Sequence, residues 1–362
     1  METFTNSAEY GIISQKDFFE NNISKVEKLD RYYVVEPEDF VYNPRISINA
    51  PVGPINRNTL DRCGVMSPLY SVFKTHNIDN TYLEYFFKSN YWHSFMFFNG
   101  DSGARSDRFS IKDTVFMEMP IPYPNIYEQS KIGVFLKQLD NDITLHQRKL
   151  EKLGNIKKSM LEKMFPKDEN KVPEIRFKGF NDDWEQRYIE DIASFSKGNG
   201  YSKSDLSNNG NPIILYGRLY TNYEFCIDKV NTYSKIKKGS VLSQGNEVIV
   251  PSSGETSEDI ARASAIIKKG ILIGGDLNII RPIEIVESCF LALAISNGKT
   301  QKDLSSKAQG KSVVHIHNSD IKKIQVSFPK VKEQEKIIKL FKFIDNLISL
   351  HQRKPIFGNG GN

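Results

Sequence analysis

The chain of 362 residues is long enough for two domains, and its 39% hydrophobic and 26% charged content is ordinary for folded protein, which excludes wholesale disorder. A net charge of +5 is compatible with a nucleic-acid partner but does not identify one. The sequence has no apolar run approaching the roughly 18 residues of a membrane span, no basic leader, and three widely spaced cysteines that suit a reducing cytoplasm better than a zinc site.

The residue pattern alternates between mixed and helical segments. Both mixed segments contain short strand-like runs separated by turns rich in Pro, Gly and Asn, and both helical segments carry the periodicity of a long amphipathic helix. In chain order we predict a first domain, a first helix, a polar linker, a second domain, a shorter second helix and a Gly- and Asn-rich tail (1–125, 126–165, 166–171, 172–329, 330–354 and 355–362).

The two predicted helices share one sequence. Residues 128–149 and 333–354 are identical at 13 of 22 positions, at a constant offset of 205 residues. Both begin Glu-Gln-x-Lys-Ile and both end Leu-His-Gln-Arg-Lys. A repeat with this domain-sized period indicates a duplicated unit of one domain followed by one helix. A chain of that design presents two similar surfaces on a spacer, which is what a protein that reads a two-part target needs.

Apolar residues recur along each helix at heptad spacing, which favours packing of the two helices against each other. The alternative is that each helix docks only on its own domain. At a rise of 1.5 Å per residue, a helix of about 38 residues spans roughly 57 Å, a length suited to a spacer. The predicted seam consists of Ile132, Leu136, Leu139, Ile143, His146, Leu150 and Leu153 on the first helix, and Ile337, Phe341, Ile344, Ile348 and His351 on the second.

The helical motifs, with two more at the start of the second domain, resemble a known family. Residues 173–180 read Pro-Glu-Ile-Arg-Phe-Lys-Gly-Phe and are followed by Trp184, and a Ser-Lys-Gly turn stands at 196–198. This combination resembles the specificity subunit of type I restriction-modification systems. The resemblance implies an α+β fold in which two mixed α/β target-recognition domains are joined by two long helices that form an antiparallel coiled-coil spacer.

The resemblance also implies a function and partners. Each target-recognition domain would read one half of a bipartite site in double-stranded DNA, and the chain itself would have no catalytic centre. Modification subunits would methylate adenine with S-adenosylmethionine, and motor-nuclease restriction subunits would use ATP and Mg, with none of these cofactors bound by this chain. The implied location is the cytoplasm, without a membrane partner.

Two features depart from the family pattern. Only nine residues precede Tyr10 in the first domain, where about 45 precede the matching Tyr216 in the second, and the first domain lacks the Pro-x-x-Arg-Phe segment. The second helix is followed by Pro355 and a Gly-rich tail, which do not continue a helix. We therefore expect a specificity subunit that is shortened at its N-terminus and altered at its C-terminus. The alternative is a truncated or rearranged product that is inactive alone or works only as a dimeric half-subunit.

Motifs for catalysis or metal binding are weak. The run Asn43-Pro44-Arg45 lacks the second proline and the aromatic residue of an amino-methyltransferase site, and no phosphate-binding GxxxxGK[ST] sequence occurs. His315 and His317 alternate with apolar residues on a predicted strand, where surface positions are a better interpretation than metal ligands. We expect neither a catalytic site nor a metal site.

Candidate DNA contacts lie in loops that mix Gly, Arg, Lys and Tyr between short strands. Lys and Arg would bind phosphates, and Arg45, Arg105 and Arg218 could each make a bidentate contact with guanine. For any one of them, a solvated loop or an intramolecular salt bridge remains the alternative. The full set is Tyr10, Tyr42, Asn43, Arg45, Arg105 and Arg108 in the first domain, and Lys197, Tyr201, Tyr216, Arg218, Ser253 and Lys311 in the second.

Overall fold

A computed structural model describes residues 1–18, 31–102, 107–167, 170–310 and 312–352 of the chain. The chain divides into two compact units, Met1–Leu145 and His146–Asn362. One helix, α5 (Ile126–Lys163), begins in the first unit and ends in the second. Because that division falls inside α5, the six sequence segments proposed above stay a prediction. Among the described residues, no helix is both long and apolar enough to cross a lipid bilayer.

In the residues that the structure describes, the first unit contains two small sheets and four helices besides the start of α5. Its strands are β1 (Glu2–Ser7), β2 (Gly11–Ser14), β3 (Tyr33–Val35), β4 (Phe40–Tyr42), β5 (Ile55–Arg57), β6 (Gly64–Met66) and β7 (Ser71–Phe73). Its short helices are α1 (Gln15–Phe18), α2 (Asn80–Lys88), α3 (His93–Asn99) and α4 (Asp113–Phe116). The strand orders are β2-β1-β6-β3 and β5-β4-β7.

Strand β4 separates the two cores of the first unit. Its three residues are all buried, and because successive side chains point to opposite faces, they divide between the cores. Phe40 and Tyr42 pack in one core with Phe87 and Trp92 of the helical side, whereas Val41 packs in the other.

The second unit is larger. Its strands are β8 (Glu185–Tyr188), β9 (Ala193–Lys197), β10 (Leu206–Ser207), β11 (Asn211–Ile214), β12 (Cys226–Ile227), β13 (Tyr233–Ser234), β14 (Leu242–Gln244), β15 (Glu247–Pro251), β16 (Ser253–Gly254), β17 (Ser264–Ile266), β18 (Lys269–Ile273), β19 (Leu277–Pro282), β20 (Val314–His315) and β21 (Gln325–Phe328). Its remaining helices are α6 (Ile189–Ile192), α7 (Arg218–Thr221), α8 (Ser257–Ile260), α9 (Ser288–Ile295), α10 (Gly298–Lys307), α11 (Asn318–Lys322) and α12 (Val331–Gln352).

Two five-stranded sheets dominate the second unit, in the orders β10-β13-β11-β18-β14 and β12-β17-β15-β19-β9. The central strand β15 shows how they pack. Val248 and Val250 face a core formed with the helices, and Ile249 between them faces a second core that includes residues of the other sheet. The helix packed on β15 and β17 is α9, whose eight residues are all buried, as its uniformly apolar sequence requires.

A disulfide joins Cys226 of β12 to Cys289 of α9, with Cα atoms 5.4 Å apart. The two cysteines are separated by 63 residues, so their spacing carried no signal that they would meet. Cys63 in the first unit is a free, exposed thiol.

Helix α12 and the C-terminal part of α5 run antiparallel in the second unit. Nδ1 of His146 lies 3.4 Å from Nδ1 of His351, and Lys157 pairs with Asp345 at 2.5 Å. The two histidines are 205 residues apart, which is the offset of the sequence repeat. A residue that touches its own repeat partner must lie on the local two-fold axis of the helix pair. The antiparallel pairing implied by the family resemblance is therefore present.

Only some of the predicted seam residues are buried. Ile337, Phe341 and Ile344 of α12 are buried in the main core of the second unit, so α12 docks on its own domain as well as on α5. Leu139 and Ile143, which lie in the first unit, are 41% and 55% exposed, and their place in the seam stays a prediction. The other predicted seam residues, Ile132, Leu136, His146, Leu150, Leu153, Ile348 and His351, are half-buried or exposed.

The repeated glutamine is a structural clamp in both units. In the second unit, Gln334 is fully buried; its Oε1 accepts from the backbone N–H of Glu287 at 2.8 Å, and its Nε2 donates to the carbonyl of Pro329 at 2.7 Å. In the first unit, Gln129 is also fully buried and makes the same pair of bonds, to Asp79 N–H at 2.9 Å and to the Pro124 carbonyl at 2.7 Å. Each glutamine thus ties the start of the long helix to the N-cap of the helix packed against it.

Candidate nucleic-acid interface

Four loops predicted to contact DNA in the second unit form one surface, beginning with the loop after β9. The backbone N–H of Asn199 donates to the Ile273 carbonyl at 3.2 Å, and that of Gly275 donates to the Gly200 carbonyl at 2.8 Å. A Cβ placed on Gly198 would lie 1.9 Å from the Gly274 carbonyl oxygen. Only glycine therefore allows this approach, which explains the Ser-Lys-Gly turn at 196–198.

The antiparallel pair β16 and β20, whose strands are distant in sequence, joins the same surface. Ser253 pairs with His315 across these strands, and Ser253 Oγ lies 3.2 Å from His315 Nδ1. The backbone N–H of Ser252 donates to the carbonyl of Asp276 at 2.9 Å, which ties β16 to the loop beside Gly275. The loop around 309 is held by a bridge between Gln309 and His315.

The turn after β11 completes the set. Tyr220 Oη donates to the Ser253 carbonyl at 2.8 Å, and burial raises the pKa of Tyr220 to about 12, so its phenol stays a proton donor at neutral pH. Its ring lies edge-on to that of Tyr216 at 6.4 Å, and Tyr216 itself is 43% exposed. We call the combined region, residues 197–201, 216–220, 252–254, 274–276 and 309–317 without 311, the second-unit loop surface.

The exposed groups of this surface are suited to a polar ligand. Lys197 is exposed at the end of β9, and Tyr216, His315 and His317 are exposed in other loops of the same surface. The imidazole rings of His315 and His317 are parallel within 2° and their centroids are 6.5 Å apart. Lysine supplies a charge for phosphate, and the other three supply donors and flat faces that could meet bases.

Two predicted contacts of the second unit are occupied within the chain. Arg218 pairs with Glu224 at 2.5 Å and donates to the Lys229 carbonyl at 2.9 Å, with its side chain only 16% exposed. The intramolecular salt bridge, which was the alternative, is thus what the structure shows, and a bidentate guanine contact by Arg218 is not available without breaking it. Tyr201 Oη is likewise engaged, at 2.6 Å from Ser240 Oγ, so Tyr201 holds its own loop.

In the first unit, one predicted contact is wrong. Tyr42 is 3% exposed, donates to the Val52 carbonyl at 2.8 Å, and has its pKa raised by burial. It belongs to the core because it alternates with Val41 on a strand that is buried on both faces. Asn43 has a structural role as well, since its Nδ2 donates to the Asn6 carbonyl at 2.8 Å.

The structure brings together two arginines of the first unit. Arg45 and Arg108 form an isolated antiparallel bridge, Arg45 exposed and Arg108 half-buried, so two cationic side chains start from adjacent backbone positions. Tyr10 is 61% exposed and packs its ring edge-on against Phe18. The predicted contacts Arg105 and Lys311 lie outside the described residues.

His315, His317 and Asp276 belong to the second-unit loop surface although no DNA-binding role was predicted for them. For the two histidines the sequence did contain a signal of exposure. They alternate with the buried Val314 and Ile316, so both point to the same exposed side of the strand. No signal marked Asp276, which joins the surface through its backbone carbonyl. Within the part of the chain that the structure describes, no three His, Cys, Asp or Glu side chains are grouped to hold a metal ion.

With this geometry established, comparison with known proteins identifies the family. The model of the type I restriction modification DNA specificity domain matches residues 2–155 and 181–356. The chain belongs to this family. The predicted resemblance is confirmed, and the two matched segments correspond to the two halves of the sequence repeat.

Relatives and a solved structure agree with this assignment. The chain is 23% identical over 252 residues to the type I restriction enzyme MjaVIII specificity subunit of Methanocaldococcus jannaschii, which covers 66% of this chain and 58% of the relative. It is 25% identical over 256 residues to the putative type I restriction enzyme MjaX specificity subunit of the same organism, covering 68% and 57%. The chain thus spans less than two thirds of the length of these curated relatives.

The fold is shared with the crystal structure of a type I restriction-modification system S subunit from M. genitalium. The TM-score is 0.52 at 14% sequence identity, covering 92% of this chain and 81% of that one. The predicted α+β class with long spacer helices is therefore confirmed.

Proposed function

We propose that the chain is the DNA-recognition subunit of a type I restriction-modification complex, in which each unit reads one part of a bipartite site. The observation that carries this proposal is the family match over two segments, which follows the duplication of a mixed domain and a helix. The second-unit loop surface supports it, because it gathers exposed Lys, Tyr and His side chains on a rigid double sheet.

The proposed division of labour assigns no catalysis to this chain. Modification subunits would transfer a methyl group from S-adenosylmethionine to adenine, and restriction subunits would use ATP and Mg. This chain would contribute the base sequence and the scaffold, in the cytoplasm where its double-stranded DNA partner lies. These partners and cofactors are proposed from the family alone.

Within the second-unit loop surface, different side chains would have different tasks. Lys197 would contact a phosphate, which adds affinity for any sequence. Tyr216 and His315 would approach base edges, where hydrogen bonds distinguish one base pair from another. In the first unit, Arg45 and Arg108 are the candidates for both tasks.

The test is to coexpress the chain with its modification subunit and to map N6-methyladenine across the host genome. An asymmetric bipartite motif supports the proposal, because it requires both units to read DNA. A palindromic motif would mean that two copies of the second unit assemble instead. If no new methylation appears while both proteins are soluble, the proposal is wrong.

A second experiment tests the loop surface in the same complex. Lys197→Glu should weaken DNA binding and reduce by about one the slope of log affinity against log salt, because one phosphate contact is lost. Lys332→Glu, an exposed lysine on α12, is the matched control and should bind as the unchanged protein does. Equal effects of both variants would exclude Lys197 as a DNA contact.

A further inference from the structure

Two arginines of the first unit lie directly opposite each other on neighbouring backbone segments. The N–H of Ile46 donates to the carbonyl of Asp107 at 2.9 Å, and a second backbone hydrogen bond flanks the facing residues on the other side. Arg45 and Arg108 are therefore a non-hydrogen-bonded pair of an antiparallel bridge. In such a pair the Cα atoms are about 4.5 Å apart and both side chains leave the same face.

This arrangement leaves two positive charges without compensation. Like charges directly opposite on neighbouring strands repel each other. Among the residues that the structure describes, no acidic side chain forms a salt bridge with Arg45 or Arg108, although Asp101 and Asp107 lie close by in the chain. Asp107 alternates with Arg108 and so leaves the backbone on the other face. An anion on the exposed face would remove the repulsion, and two guanidinium groups suit a phosphate in particular.

A cleft of about 580 Å³ opens beside Arg108, which is one of its lining residues. It lies between β3, β7 and α4. The rings of Tyr42 and Phe116 line it, are stacked with their centroids 5.2 Å apart, and are buried. Tyr33 and Met117 line it as well, yet they are 51% and 68% exposed. The cleft thus offers aromatic and apolar surface, and its volume is typical of a site for a small ligand.

The polar groups of the cleft narrow the class of ligand. Ser71 Oγ donates to Asp113 Oδ1 at 3.3 Å, and both residues line the cleft, so a hydroxyl and a carboxylate can meet the hydrogen-bonding edge of a ring. The arginine pair can bind an anion where Arg108 enters the cleft. A ligand that occupies both parts combines a flat ring, polar at its edge, with a phosphate group. A nucleotide has both.

We propose that the cleft is a nucleotide-binding site, with the phosphate between Arg45 and Arg108 and the base among the aromatic side chains. Stacking of the base on aromatic rings and charge-assisted hydrogen bonds from the arginines supply the affinity. A free nucleotide and a nucleotide extruded from a DNA duplex offer the same chemistry. The site does not rest on the proposed function, because free nucleotides test it without DNA.

The test is isothermal titration calorimetry of the full chain with deoxyadenylate, deoxyguanylate, deoxycytidylate and thymidylate. The two halves of the tightest ligand, its nucleoside and inorganic phosphate, are titrated separately. We expect saturable binding of at least one deoxynucleotide, about tenfold or more tighter than that of inorganic phosphate, because the base adds stacking.

Two variants separate the halves of the site. Arg45→Gln should weaken the binding of the nucleotide and of inorganic phosphate about tenfold, because it removes a charge-assisted contact. Its matched control is Arg148→Gln, an exposed arginine on α5 in the second unit. Tyr33→Ala should weaken nucleotide binding about tenfold and leave the binding of inorganic phosphate unchanged. Its matched control is Tyr91→Ala, at a tyrosine that is 80% exposed and does not line the cleft.

Three results overturn the proposal. One is that none of the four deoxynucleotides binds saturably at millimolar concentration. Another is that the tightest nucleotide binds no better than inorganic phosphate, which would leave a simple anion site. The third is that Arg45→Gln or Tyr33→Ala loses no more affinity than its matched control.

A competition experiment on the complex of the chain with its modification subunit distinguishes the two sources of the nucleotide. Saturating deoxynucleotide should weaken the binding of duplex DNA at least tenfold if the cleft takes a nucleotide extruded from the duplex. Unchanged affinity for the duplex assigns the site to a free nucleotide. Calorimetry on the chain alone and the methylation map are independent measurements, so either proposal can fail while the other stands.

Discussion

Replacing Gln334 by alanine should destabilise the second unit by about 3 kcal/mol. The side chain is fully buried and makes three hydrogen bonds: it accepts from Glu287 N–H and donates to the carbonyls of Ile285 and Pro329. Alanine leaves these three backbone groups without partners, and each buried unsatisfied group costs about 1 kcal/mol or more. Gln129→Ala removes two such bonds, so the first unit should lose about 2 kcal/mol.

The assay must report on each unit separately. The chain has two tryptophans, Trp92 in the first unit and Trp184 in the second, and both are 3% exposed. Labelling with 5-fluorotryptophan therefore gives one ¹⁹F NMR signal for each unit. The signal that disappears in Trp92→Phe belongs to the first unit. With a urea m-value of about 2 kcal/mol per M, Gln334→Ala should lower the midpoint of the Trp184 signal by about 1.5 M.

The control is Gln147→Ala, an exposed glutamine of α5 that should change stability by less than about 0.5 kcal/mol. The reasoning on the clamp is refuted if Gln334→Ala unfolds within about 0.5 kcal/mol of the unchanged protein. It is refuted equally if that variant shifts the Trp92 signal as much as the Trp184 signal, since the clamp acts within one unit.

Three further predictions concern the second unit. Arg176→Ala should cost about 3 kcal/mol in urea unfolding because it strands a buried carboxylate, and adding Glu333→Leu should recover part of the loss; no recovery would contradict a charge effect. Gly198→Ala should reduce DNA affinity in a mobility-shift assay, because its Cβ has no room, whereas Gly217→Ala, with nothing within 4 Å, should be neutral. Burial, a neighbouring lysine and the facing histidine lower the pKa of His351. In the unfolded chain, the His351 imidazole takes up a proton at about pH 6.5, whereas in the folded chain it does so only at lower pH. The free energy of unfolding should therefore fall as the pH drops below about 6.5, and His351→Phe should flatten the pH profile of the melting temperature.

The long helices could be predicted because their signals are local and repeated. Heptad spacing and a duplicated sequence of 22 residues each point to the same element, and α5 and α12 follow them. The strand-like runs near Val34 and Val41 form β3 and β4, as predicted from their local sequence. The place of Leu139 and Ile143 in the seam stays a prediction, because spacing shows that they lie on one face of the helix but not whether another helix reaches them.

The candidate contacts were harder to predict, because a loop side chain's role depends on neighbours that the sequence does not place. Arg218 and Glu224 are six residues apart, and only the fold of α7 and the turn after it brings them into a salt bridge. Tyr42 stands beside Asn43 and Arg45 in a polar run, yet a short strand buried on both faces takes it into the core. In contrast, the convergence of four second-unit loops follows from sheet edges that bring distant turns together.

The repeat itself shows which parts of the molecule must keep their length. The two glutamine clamps have nearly equal geometry, yet Gln129 is 50 residues from the N-cap it binds and Gln334 is 47 residues from its own. Loops between the clamped elements therefore absorb a difference of three residues without cost to the clamp. Between the proline and the glutamine no such difference is tolerable, because one inserted residue there would rotate the glutamine by about 100° away from its partners. The clamp fixes where each long helix starts, while the loops that would meet DNA remain free to differ.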